Sequence, residues 1–237
     1  MGTRLIYATL VVIAMAGVAI GFYTEALSNR YLVAALLALF GTFLGALFAF
    51  RLNENKETRK LTAARKAALN QALFALIRQY NAMRTYAKYL APFSDTVLRA
   101  INLPAHKPPT YSDLFIEFQE LGFLLEGEYA NVLMRLMVEQ ERFHQALGAI
   151  RIRNEFHVTE LQPTLENLKL NGSSLTEAEI ASALGERVYG TALSYGEAVF
   201  TNITENVQGL AAAHEELFKT AKALYPDEKF LKFSHNA

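Results

Sequence analysis

Apolar residues form two long uninterrupted runs at the start of the chain. Residues 5–23 and 31–50 contain no charged side chain over 19 and 20 positions. A helix of about 20 apolar residues crosses the hydrocarbon layer of a bilayer, so the pattern predicts two transmembrane helices, at about 5–23 and 31–50. The linker TEALSNR at 24–30 predicts a tight hairpin between them. A cleaved secretory signal is the alternative for the first run, which exceeds the roughly 7–15 apolar residues of such signals.

Helical periodicity continues after the second run. Residues 51–90 contain no Pro or Gly and are rich in good helix formers, so the second membrane helix is predicted to continue as a long helix over 51–90 that Pro92 ends. Apolar residues on one face of this helix predict packing against other helices: Leu69, Leu73, Leu76, Ile77, Tyr80 and Met83. A shorter helix, capped by Ser112 or Thr110, is predicted to carry Leu114 to Leu125.

Two further long helices are predicted from apolar residues at three- and four-residue steps, over about 126–160 and about 176–224. Pro163 and the segment NGSS at 171–174 predict the break between them. Thr176 and Glu179 form the pattern of a capping box at the start of the last helix. Almost nothing in the sequence is typical of a strand.

The predicted fold class is therefore all-α. Residues 1–50 form an N-terminal two-helix transmembrane hairpin, and residues 51–237 form an elongated cytoplasmic helical bundle. The inner face of the helix at 126–160 is expected to include Val132, Leu133, Leu136, Met137, Phe143, Leu147 and Ile150.

Charge is distributed unevenly along a formally neutral chain. Residues 51–90 hold nine basic and two acidic side chains, and residues 91–237 hold twelve basic and twenty acidic ones. Basic residues beside membrane helices favour the cytoplasmic side, and Arg30 is the only one in the linker, so both termini are predicted to be cytoplasmic. Four basic residues after the second run are expected to meet anionic lipid headgroups: Arg51, Lys56, Arg59 and Lys60.

The acidic part of the chain bears on the class of partner. A nucleic-acid-binding surface needs a basic footprint, so direct nucleic-acid binding is not expected after residue 90. An acidic surface suits docking onto a basic protein, although solvated helix faces explain the same acidic residues.

Residues with catalytic or metal-binding potential are sparse. The chain has no cysteine, which excludes disulfides and thiolate ligands. Glu141 and His144 form one Glu-x-x-His pair, but a di-iron bundle needs a second pair and two further carboxylates. No catalytic residue, metal or cofactor is predicted, and an integral-membrane enzyme ranks last among the functional classes.

Small residues recur at four-residue steps in both apolar runs. Gly41, Gly45 and Ala49 share one face of the second run, and Gly17 and Gly21 share a face of the first. Such faces allow helix backbones to approach closely in lipid. They are predicted to pack either the two helices of one hairpin or the helices of different chains, the latter in a homo-oligomer.

The overall plan resembles a known class of membrane protein. A two-helix hairpin followed by the basic stretch LTAARKAALNQALFALIRQYNAMRTYAKYL at 61–90 and a helical domain is similar to the two-transmembrane effectors of bacterial anti-phage systems, most of all those of retrons. The resemblance implies an inner-membrane effector that permeabilises the membrane, causing abortive infection, once a reverse transcriptase carrying its DNA/RNA hybrid releases it. The alternative is a membrane-anchored scaffold or adaptor without toxicity.

Overall fold

The computed structural model describes residues 30–106, 114–169 and 176–232, with side chains from residue 36 onward. The chain divides into two compact units, Met1–Thr62 and Ala63–Ala237. Every regular element in the described ranges is helical, which confirms the all-α prediction. The predicted helix at 5–23, with Gly17 and Gly21, lies outside the described residues.

Helix α1 spans Arg30–Leu90, a length of 61 residues. Its sequence holds no proline, and the helix ends just before Pro92, which cannot donate a backbone hydrogen bond. Within α1, the stretch Leu36–Leu90 is long and apolar enough to cross a membrane by length and composition.

The second unit contains the end of α1 and the remaining described elements. In chain order these are α2 (Thr96–Asn102), a 3-10 helix (Phe118–Glu126), α3 (Ala130–Phe156), a π-helical turn (His157–Leu161), α4 (Gln162–Asn167) and α5 (Glu177–Leu224). Thr176 caps α5 through the predicted capping box with Glu179.

Helices α1, α3 and α5 supply the main core of the second unit. Its largest fully buried side chains include Leu69, Leu73, Leu76, Met83, Leu136, Phe143, Ile150, Ile203 and Leu210. Each comes from the apolar stripe of its helix, because only one face of such a helix can leave water. A smaller cluster joins α2, the end of α3, the π-helical turn, α4 and the first part of α5 through Ala100, Phe156, Leu161, Leu165, Leu184 and Ala192.

The prediction of a helix over Leu114 to Leu125 is wrong in its first part. Residues 114–117 form no regular secondary structure, the 3-10 helix follows, and the predicted caps Ser112 and Thr110 lie outside the described residues. Buried glutamines hold this backbone: Gln79 Nε2 donates to the Leu114 carbonyl at 3.2 Å, and the Ile116 N–H donates to Gln140 Oε1 at 2.6 Å. These side chains satisfy backbone groups that a helix would otherwise pair, so the apolar pattern alone did not decide the conformation.

The break predicted at Pro163 and at the segment NGSS is wrong at Pro163, and residues 171–174 lie outside the described residues. The chain remains helical from α3 through the π-helical turn into α4, where Pro163 lies in the first turn. Pro163 cannot donate a backbone hydrogen bond, and it directly follows the π-helical turn, where the Gln162 N–H donates to the His157 carbonyl. The real irregularity in the following helix is at Gly185, whose φ of 74° and ψ of 158° belong to a region that only glycine adopts readily.

Candidate functional site

The apolar segment at residues 36–50 presents its side chains outward. Leu39 is 71 % exposed and Phe50 is 70 % exposed. Other large apolar side chains of the segment are also exposed: Leu36, Leu37, Phe43 and Phe48. A continuous apolar surface of this kind marks contact with a membrane or a protein partner.

The predicted small-residue face of this segment is open. A Cβ atom added to Gly41 or Gly45 would meet no heavy atom within 4 Å, and Ala49 is exposed. In the described part of the chain, no side chain therefore fills the space over these two glycines, so another helix can approach their backbone.

The basic residues predicted at the membrane interface follow this segment on the same helix. Arg51 pairs with Glu54 at 3.6 Å, and Lys60 pairs with Glu57 at 3.1 Å. All four basic residues, Arg51, Lys56, Arg59 and Lys60, are exposed. Exposed pairs at three-residue spacing are weak, so the guanidinium and ammonium groups can exchange such partners for lipid phosphates.

A polar cleft of about 590 Å³ lies between α3 and α5 in the second unit. Its lining is made of Arg135, Val138, Glu139 and Arg142 from α3 and of Glu205, Gln208 and Gly209 from α5. The two helices bring together residues more than 60 positions apart in the sequence. No sequence motif indicated that these residues would be adjacent.

Glu139 is the unusual member of this cleft. Its side chain is only 6 % exposed, and its Oε1 accepts a hydrogen bond from Arg142 Nη1 at 3.0 Å. Its Oε2 is buried without a hydrogen-bond partner. Burial raises the pKa of the Glu139 carboxyl above its ordinary value, and the charge of Arg142 offsets part of that effect.

Gly209 and Asn206 of α5 face Glu139. A Cβ atom at Gly209 would lie 1.9 Å from Glu139 Oε2, so the carboxylate occupies the space that a side chain would fill. Asn206 Nδ2 donates to the Glu139 backbone carbonyl at 3.2 Å, and Asn206 Oδ1 is buried without a partner.

A sequence signal for Glu139 exists in the spacing of the α3 core. The buried positions Leu136, Phe143, Ala146 and Ile150 follow alternating four- and three-residue steps that place residue 139 on the same face. The prediction of Met137 on the inner face is wrong, because Met137 is 39 % exposed. A glutamate on an apolar stripe was the feature that could have identified this position.

A second buried polar group lies near the other end of α3. The Arg153 side chain donates to the carbonyls of Leu103 and Pro104 and lies 3.3 Å from His157 Nδ1. Burial lowers the pKa of Arg153 to about 10. Burial, together with the positive charge of Arg153, lowers the pKa of His157 to about 4. The cluster fixes the extended chain after α2, and its polar atoms are directed at backbone groups.

The Glu141 and His144 pair does not form a metal centre with other described residues. Glu141 is exposed, and the His144 ring stacks on Phe115 with centroids 4.8 Å apart. Burial lowers the pKa of His144. In the ranges that the structure describes, no group of three or more His, Cys, Asp or Glu residues could hold a metal ion.

Comparison with known proteins found no relative of this chain. No protein-family model, curated protein sequence or solved structure matches the chain.

Proposed function

We propose that the chain is an inner-membrane effector of a bacterial anti-phage system, which permeabilises or depolarises the membrane when a partner complex releases or activates it. The observation that carries the proposal is the exposed apolar surface over residues 36–50, on a helix with the length and composition of a membrane span. Exposing such an apolar surface to water costs free energy, and transfer of the surface into lipid removes that cost.

The proposed topology is a multi-pass hairpin with helices at about 5–23 and 31–50 and with both termini in the cytoplasm. Its support is the excess of basic residues immediately after residue 50, which favours retention of that flank on the cytoplasmic side. The remaining residues form the cytoplasmic helical domain in this arrangement.

Permeabilisation is proposed to require packing between chains through Gly41, Gly45 and Ala49. The open space over the two glycines supports this step, because association in lipid depends on close packing and on small residues that permit it. A homo-oligomer of spans is the proposed active form.

The proposed regulator is a protein complex, and the resemblance to retron effectors makes it a reverse transcriptase carrying its DNA/RNA hybrid. The acidic excess over residues 91–237 suits contact with basic protein surface and disfavours direct contact with nucleic acid.

The proposal is tested by producing the protein in bacteria without its partner and following membrane potential with a voltage-sensitive dye. The wild-type chain should depolarise the inner membrane and stop growth. Gly41→Leu with Gly45→Leu should insert equally well, because leucine favours insertion, but should be tolerated, because the added side chains keep helices apart.

The matched control is Thr42→Leu with Ala46→Leu. These substitutions also place two leucine side chains four residues apart at exposed positions, but each is rotated by about 100° around the helix from the neighbouring glycine. The control should remain toxic, because the space over the two glycines stays open. An intact membrane potential with the wild type under every trigger, or equal toxicity of the glycine pair variant, contradicts the proposal.

A membrane-anchored scaffold or adaptor is the second candidate. The observation that favours it is the polar cleft between α3 and α5. A scaffold needs a surface that binds a partner, and this cleft could bind one without any change in membrane permeability. In this case neither the wild type nor any leucine variant should change membrane potential.

A further inference from the structure

The cleft between α3 and α5 contains a buried acceptor that lacks a donor. Glu139 Oε1 is paired with Arg142, but Oε2 has no hydrogen-bond partner. Water cannot replace that partner easily, because the side chain is only 6 % exposed. An unpaired carboxylate oxygen in such a place is unfavourable, and a donor that reaches it would relieve the cost.

Gly209 gives the carboxylate its position on the cleft wall. Both residues line the cleft, and Glu139 Oε2 occupies the volume of a Cβ atom at position 209. The Glu139 carboxylate therefore forms part of the cleft wall beside Gly209.

The other charges of the cleft favour a cation over an anion. Arg135 Nε is 2.9 Å from Glu216 Oε2, and Arg142 is paired with Glu139. An anion would have to compete with a carboxylate for either arginine. Among the charged cleft residues, Glu205 is exposed and forms no ion pair with a described residue. The groups that remain uncommitted are acceptors on Glu139 and Glu205.

We propose that this cleft binds an organic cation, a primary ammonium or guanidinium group, with the Glu139 carboxylate as its buried counter-ion and Glu205 as a second, exposed one. The volume of about 590 Å³ admits a short polyamine as well as a lysine or arginine side chain of a bound protein. Burial raises the pKa of Glu139 although Arg142 and Arg135 lie nearby, and a bound cation would lower it. The site is independent of the proposed action in the membrane.

The test uses the full chain purified in an uncharged detergent and isothermal titration with two probes, spermidine and acetyl-arginine amide. Saturable binding of spermidine alone identifies a free polyamine as the natural source of the cation. Saturable binding of acetyl-arginine amide alone identifies a protein side chain, and if both probes bind, the tighter one identifies the source. Glu139→Gln should weaken binding at least about tenfold, because it removes the buried counter-ion.

Glu141→Gln is the matched control, since Glu141 is on the same helix, is exposed and does not line the cleft. It should leave affinity unchanged. Glu205→Gln, at an exposed position that does not affect the core, should weaken binding about threefold and decides the question if Glu139→Gln loses helical structure. The absence of saturable binding to both probes overturns the proposal. Wild-type affinity in a folded Glu139→Gln protein also overturns it. If that variant misfolds, wild-type affinity in Glu205→Gln overturns it. Tighter binding of inorganic phosphate than of either cation overturns it as well.

Discussion

Two buried arginines join separate parts of the second unit. Arg99 is 5 % exposed, pairs with Glu197 at 2.8 Å and lies over the Phe200 ring at 4.1 Å. It joins α2 to α5, whereas Arg153 holds the chain that follows α2. Removing one partner of such a contact leaves a buried charge unpaired.

Gly209→Ala should destabilise the protein relative to Gly190→Ala by about 1–3 kcal/mol. Both glycines lie within α5, but a Cβ atom at position 190 meets nothing within 4 Å, whereas one at position 209 overlaps Glu139 Oε2. Gly190→Ala should raise the free energy of unfolding by about 0.4–1 kcal/mol, because alanine lowers the conformational entropy of the unfolded chain. Thermal and urea unfolding of the two variants measure the difference, and equal stabilisation would show that the Glu139 carboxylate is not held against Gly209.

Acid should weaken the cluster around Arg153 through His157. The pKa of His157 is lowered from 6.5 to about 4 in the folded chain, so the unfolded state binds the proton first as pH falls. Stability from the neutral imidazole is complete above about pH 6.5 and is lost as pH falls toward 4, by on the order of 3 kcal/mol. His157→Gln cannot titrate, so urea unfolding across this range should show a shallower acid loss. Parallel profiles for variant and wild type would exclude His157 as the source.

Among the elements, α1 carries both the proposed membrane span and part of the core of the second unit. Its single apolar stripe over residues 69–83 was predicted from three- and four-residue spacing, and Leu69, Leu73, Leu76 and Met83 are buried. The capping box at Thr176 was predictable because its residues are neighbours in the sequence. Local patterns of this kind suffice when the determining contacts are local.

Contacts between distant residues explain the elements that the sequence did not predict. The irregular stretch at 114–117 is held by Gln79 and Gln140, and Glu139 and Gly209 meet at the wall of the cleft. Residues 139 and 209 belong to different helices, so their adjacency follows from how α3 packs on α5. Periodicity could indicate that Glu139 lies on a buried face, but it could not identify the residue opposite.

The basic stretch after the apolar segment should matter for the proposed activity and not for the fold. Replacing Arg51, Lys56, Arg59 and Lys60 with Gln removes attractions to anionic lipid of about 1 kcal/mol each near the surface. We expect less depolarisation and unchanged thermal unfolding of the second unit. Arg78→Gln with Lys88→Gln, later on the same helix, is the control and should leave depolarisation unchanged. Full activity of the fourfold variant would mean that these charges only aid solubility.

For the whole molecule, the two units differ in where their large apolar side chains lie. Residues 36–50 expose large apolar side chains, whereas the unit from Ala63 onward buries its apolar stripes in its own core. The proposed function depends on placing the first kind of surface in lipid and the second in water. Insertion of the chain as a hairpin is the premise that every proposed membrane activity shares.

Cysteine accessibility tests that premise most directly, because the chain contains no native cysteine. Asn29→Cys and Ala237→Cys are produced separately in bacteria and treated with a membrane-impermeant maleimide, in cells whose outer membrane is permeable to it. With the proposed topology, position 29 faces the periplasm and is labelled in intact cells, and position 237 is labelled only after the inner membrane is disrupted. Labelling of position 237 but not of position 29 in intact cells would contradict the account.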